Sequence, residues 1–67
     1  MIYKIIDLVG ADEWESKAYA NKEEAIDACK SEWEHLTDHD KNRRQAFYVA
    51  EYENEDDIDH DIVFEIK

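Results

Sequence analysis

The chain is short of three things, and each shortage excludes a class of protein. A single cysteine, Cys29, leaves no internal disulfide framework and fits a reducing compartment. A single glycine, Gly10, leaves no glycine-rich loop to cradle a phosphate. Positive charge is scarce as well. Eight Lys and Arg stand against 19 Asp and Glu, and the formal net charge of −11 repels DNA, RNA and anionic lipid. No apolar run approaches the ~18 residues of a membrane span, and the N-terminus has neither the basic flank nor the small-residue cleavage site of a secretion signal. The expectation is a cytoplasmic chain with no membrane contact and no direct grip on nucleic acid.

What is present suffices for a fold. Apolar residues make up 43% of the chain and aromatic residues 12%, too many for a disordered polyanion. The expected organisation is one domain, residues 1–67. At this length only about 60% of the unfolded surface is buried. The core then contributes about 3–5 kcal/mol of net stability. Truncating Trp33 or Phe64 is therefore expected to come close to unfolding the protein.

Periodicity divides the chain. "MIYKIIDLV" places Ile2, Ile6 and Leu8 on one face and Tyr3, Ile5 and Val9 on the other, the pattern of a central strand covered on both sides. "GADE" supplies a turn, and Trp14 to Ala20 reads as a short edge strand or extended segment. In "NKEEAIDACKSEWEHL", Asn21 and Glu24 stand at the two positions of a capping box. Ile26, Cys29, Trp33 and Leu36 recur at steps of three and four beside Ala25, making one apolar stripe. "TDHDKNRR" is polar, and Lys41, Arg43 and Arg44 fall where a helix end favours cations.

"QAFYVAEYE" alternates Ala46, Tyr48, Ala50 and Tyr52 against Phe47 and Val49, and "DIVFEIK" sets Ile62, Phe64 and Ile66 against Val63 and Glu65. The predicted fold is α+β: a three- to four-stranded antiparallel sheet covered on one face by a single helix over residues 22–37, in the order β(β)αββ. One helix covers one face only. Tyr48 and Tyr52, joined by Tyr3 or Tyr19, would give the other face an amphipathic tyrosine patch suited either to a protein contact or to plain solvent exposure.

Catalytic and metal chemistry find little footing. Asp57, Asp59 and Asp61 alternate like the first ligands of a calcium loop, but Ile62 stands where the sharp turn needs glycine and the twelfth position lies past residue 67. His35 and His39 have zinc-ligand spacing on a continuous helix, yet Leu36 replaces the glutamate of the metalloprotease motif. Cys29 lies in the apolar stripe and reads as a small hydrophobe. A fold of this size also lacks a water-excluding cleft to tune carboxylates for acid–base work. The expectation is a protein with no catalytic residues, no metal and no cofactor.

The acids themselves are the remaining signal. "ENEDDIDHD" concentrates Glu53, Glu55, Asp56, Asp57, Asp59 and Asp61 in nine positions. On the helix, Glu23, Asp27, Glu34 and Asp38 fall near one line away from the apolar stripe, spread over roughly 20 Å. Such surfaces complement a groove that holds DNA or RNA, although acid in excess also serves solubility alone. These ten acids with Tyr48 and Tyr52 are the candidate partner-binding residues.

A short acidic chain with the helix "NKEEAIDACKSEWEHL" beside the strands "QAFYVAEYE" and "DIVFEIK" resembles, in type, the small inhibitor proteins of bacteriophages and mobile elements, several anti-CRISPR proteins among them. The resemblance implies a cytoplasmic, non-enzymatic inhibitor that occupies the surface of a basic nucleic-acid-binding protein, with a homodimer among its forms. The alternative is a structural or dimerisation module that contacts partners through its tyrosine face.

Overall fold

The computed structural model describes residues 1–67, and the architecture is α+β. Strands β1 (Ile2–Val9), β2 (Asp12–Glu15), β3 (Arg44–Tyr52) and β4 (Asp61–Glu65) form one antiparallel sheet in the order β2-β1-β3-β4. Helices α1 (Lys22–Glu34) and α2 (Asp38–Arg43) connect β2 to β3. β1 and β3 are central and strongly apolar, and for β1 this matches the two-sided burial its sequence foretells.

Each boundary has a local cause. β1 and β2 join through Gly10 and Ala11, with Val9 paired to Asp12. Gly10 has φ +61, so glycine at the first position of a two-residue turn matches the hairpin twist. The second strand thus begins at Asp12, earlier than the expected Trp14. It ends at Glu15, and the hydroxyl of the next residue, Ser16, accepts the Ile5 N–H at 2.8 Å and donates to the Lys17 carbonyl at 2.8 Å. Between Ser16 and α1 the chain bonds to β1 again at the Tyr3–Tyr19 bridge, where each N–H donates to the other's carbonyl.

Asn21 caps α1, its Oδ1 accepting from the N–H groups of Glu23 at 2.8 Å and Glu24 at 3.2 Å. The single helix expected over 22–37 is in fact two. α1 stops at Glu34 and Thr37 caps a fresh start, accepting the Asp40 N–H at 3.1 Å. Asp38 and Asp40 sit in the first turn of α2 and Lys41 and Arg43 in its last, the charge order that a helix dipole favours.

α1 lies on the face of the sheet that carries Ile5, Phe47 and Val49, and packs Ala25 and Cys29 onto them. Trp33 packs against Phe47 with ring centroids 5.4 Å apart and the rings tilted by 52°. Phe47 is the largest fully buried side chain, whereas Trp33 and Phe64, the expected anchors, are half-buried around it. A second small cluster, Ile6, Ala50 and Tyr52, occupies the opposite face, flanked by Ile2, Leu8 and Tyr48. Tyr3 and Tyr19 belong to the helix side, because odd positions of β1 face α1. They do not join Tyr48 and Tyr52.

β4 corrects another expectation. Val49 pairs with Phe64 but its neighbour Ala50 pairs with Ile62, so Val63 is an extra residue in a β-bulge. Ile62 is thereby moved to the face away from the helix, while Val63, Phe64 and Ile66 all pack on the helix side. Its neighbours on the open face leave it 52% exposed.

Candidate functional site

The face opposite α1 has no helix over it. Its floor is Ile6, Ala50 and Tyr52 with Tyr48 alongside. Cross-strand pairing places Glu15 beside Ile6, Glu13 beside Leu8 and Glu65 beside Tyr48, so three carboxylates line its two edges. The connection from Glu53 to His60 folds back over the floor. Asn54 starts the fold, its Oδ1 accepting the Asp56 N–H at 3.0 Å while its carbonyl accepts the Asp57 N–H at 3.2 Å. His60 then lands on the tyrosines, 5.0 Å from the Tyr52 ring centroid and 6.2 Å from that of Tyr48, nearly parallel to the latter.

This roof leaves an open cleft of about 460 Å³ between β2 and the loop, bounded by Glu13 and Glu15 on one side and Glu55, Asp56 and Asp57 on the other. Lys4 rises from the floor. Its ammonium is 3.5 Å from the Glu15 carboxylate and 5.5 Å above the Tyr52 ring. A neighbouring hollow of about 470 Å³ lies where the loop meets the ends of β3 and β4, lined by Glu51, Glu53, Asp56, Asp57, Asp59 and Asp61 with Met1 at its rim.

The negative field registers on the tyrosines. Burial first, then the charges of Glu13, Glu15 and Glu65, push the Tyr48 phenol above its ordinary value. Burial also raises Tyr52, followed by Glu15, Tyr48 and Glu13. Both hydroxyls stay protonated and able to donate well into alkaline solution.

Cations are distributed unevenly. Of the eight Lys and Arg residues, Lys4 alone stands on this face. Lys17, Lys30 and Lys41 lie over Tyr19, Phe64 and Trp33, all on the helix side. Lys67 donates to the Lys41 carbonyl at 2.9 Å, and Lys22 and Arg43 belong to the helices. Arg44 meets Asp7 beneath them, its Nε 3.0 Å from Oδ1 and 3.2 Å from Oδ2, with the hydrogen aimed at Oδ2.

The sequence-derived candidates therefore separate. Glu53, Glu55, Asp56, Asp57 and Asp59 share the connection whose roof covers Tyr48 and Tyr52, and Tyr52 is only 6% exposed beneath it, whereas Asp61 opens β4 opposite Glu51, on the face that Tyr3 shares with the helix. Glu23, Asp27 and Glu34 lie on the outer surface of α1, behind the sheet, and Asp38 belongs to α2, so the helix row is broken at residues 35–37. The molecule is 34 × 24 × 16 Å. A flat partner meets one group or the other.

Glu13, Glu15, Glu65 and Lys4 were not among those candidates. The two-residue turn at Gly10 and the period-two alternation of β1 are the signals that could have placed the first two opposite Leu8 and Ile6.

Metal and thiol chemistry gain nothing from the geometry. His35 caps α1 with Nδ1 2.6 Å from the Ser31 carbonyl, and His39 stands on a different helix. No three His, Cys, Asp or Glu side chains gather closely enough to hold a metal ion. Cys29 is fully buried, and its thiol is pushed up to about 12 by burial first and then by Glu32 and Asp7. No helix is long and apolar enough to cross a membrane. No family model, curated protein or solved structure matches the chain.

Proposed function

We propose that this is a small acidic binding protein that inhibits a basic nucleic-acid-binding partner by covering the surface that would hold DNA or RNA. The target class is a host defence or nucleic-acid-processing protein, as the resemblance to phage and mobile-element inhibitors implies. No catalytic step, metal or cofactor enters the proposal. The observation that carries it is the segregation of charge: the open sheet face and its loop present carboxylates on every side with Lys4 as their one counter-ion. Excess acid kept only for solubility would be free to scatter, and self-repulsion would favour scattering. Crowding it around an aromatic floor instead matches a partner that supplies positive charge.

The test is capture by the immobilised protein from host-cell lysate at about 50 mM and about 500 mM salt, where the screening length falls about threefold. Captured protein is expected to leave the matrix as salt rises, and also on addition of duplex DNA. Capture indifferent to both ends the proposal.

The second reading, a dimerisation module, has its own observation in favour. Ile58 is 89% exposed and Ile62 52% exposed on the open side. It expects a mass that grows with concentration and ignores reversal of Asp56, Asp57 and Asp59 to lysine.

A further inference from the structure

The open face already holds a cation, and the manner in which it does so specifies what a partner would offer. The Lys4 ammonium sits between the Glu15 carboxylate at 3.5 Å and the Tyr52 ring at 5.5 Å, at the floor of the cleft between β2 and the loop. One wall supplies Glu13 beside Glu15, and the other supplies Asp56 and Asp57 with no cation of their own. One ammonium therefore serves a cleft walled by several carboxylates.

We infer that this face receives an arginine-bearing segment of the partner, whose guanidinium displaces Lys4 from its seat between Glu15 and Tyr52. The inference rests on the proposed basic partner and specifies how it docks. Guanidinium suits the seat better than ammonium, because its plane can stack on an aromatic ring while its N–H fork grips a carboxylate. It is also less strongly hydrated, so less is lost on entering a half-covered cleft. A second copy of this chain is the poorer occupant, since it would bring another net charge of −11 against the same rim. The outer surface of α1 is poorer as well. Lys22 and Lys30 are interspersed with Glu23 and Asp27 there, so the local charge is mixed.

The experiment titrates the protein with a ten-residue peptide alternating arginine and valine, with its lysine counterpart as a second arm, and follows backbone amide shifts by NMR. Saturable shifts are expected on β1, β2 and the 53–60 loop, and tighter binding of the arginine peptide. Lys4→Gln is expected to tighten binding about threefold by vacating the seat. The Glu13→Gln, Glu15→Gln double variant is expected to weaken it about five- to tenfold, against less than about twofold for Glu23→Gln with Asp27→Gln. Shift mapping on the unaltered chain keeps the outcome readable if a variant folds poorly.

Equal losses at the sheet and helix pairs would mean diffuse attraction to net charge and would overturn the inference, as would weaker binding by Lys4→Gln or shifts centred on α1. A partner that competes with DNA yet maps to α1 would remove this inference and leave the proposed function. A peptide that seats here while DNA displaces nothing captured would do the reverse.

Discussion

The two faces of the sheet are built from the same strands and behave as opposites. On the helix side, Ile5, Phe47 and Val49 are sealed under Ala25 and Cys29, and lysines lie flat over Tyr19, Phe64 and Trp33. Carboxylates and cations are interspersed there, so the local field is mixed. On the other side a smaller cluster, Ile6, Ala50 and Tyr52, is roofed only by His60 and its loop, and the carboxylates around it share one lysine. A net charge of −11 hides this contrast. One face holds the fold together and leaves the other free to carry a surplus.

Phe47→Ala should break the helix side most completely. Removing a large buried aromatic costs about 3–5 kcal/mol, as much as a domain of this size has to lose. Urea titration should find the variant largely unfolded at 25 °C. A loss under about 1 kcal/mol would mean that the helix side is not what holds the sheet.

Alkaline titration reaches both faces. Cys29 on one side and Tyr48 and Tyr52 on the other have pKa values raised in the folded state. Above the unfolded values the unfolded chain gives up protons that the native chain keeps, so stability falls as pH rises. For the thiol that window runs from 9.0 to about 12, and for the phenols it begins at 10.0. Cys29→Ala should delay the onset of unfolding followed by circular dichroism, even though it lowers stability at pH 7. An onset unchanged by the substitution would assign the alkaline transition to the tyrosines.

The Gly10→Ala change tests the hairpin that brings Glu13 and Glu15 to the open face. An added methyl group would meet nothing within 4 Å, so its cost is the φ of +61 alone. That strain is worth about 1–2 kcal/mol and should appear as a lower urea midpoint.

The smallest effect discriminates most finely between the faces. Screening with about 0.5 M salt should raise the melting temperature by a few degrees, because like charges are crowded on the open side. Glu13→Gln with Glu15→Gln should reproduce part of that rise at low salt, and Glu23→Gln with Asp27→Gln should give less. Equal rises would erase the electrostatic difference between the faces.

Much of this was legible in the chain. Strict alternation separated Ile5 from Ile6 within β1, and Phe47 and Val49 from Tyr48 and Tyr52 within β3, but which face of β1 goes with which face of β3 is set by their pairing, and the expected grouping of Tyr3 with Tyr48 and Tyr52 failed there. The apolar stripe and Asn21 located α1. Its end was missed at Thr37, where a capping residue followed by Asp38 and Asp40 restarts a helix within a polar run. The composition of the acidic loop was plain, but its roof over the tyrosines depends on His60 reaching residues eight and twelve positions back. No local pattern encodes that contact. The same limit applies to Glu65, whose face depends on how β4 pairs with β3.

Val63 shows how chain length itself can be a structural variable. As the extra residue of the bulge, it matters through its presence in the backbone as much as through its side chain. Deleting it would let β4 run in regular register with Phe64 still opposite Val49 and Ile62 still opposite Ala50, so that Asp61 and Ile62 keep the faces they now hold while the bulge and one helix-side aliphatic contact are lost. Val63→Ala would trim a half-buried contact and leave the bulge where it is. A one-residue deletion and a substitution at the same position would thus change different properties of the protein: the first the bend and twist of the strand, the second only its packing.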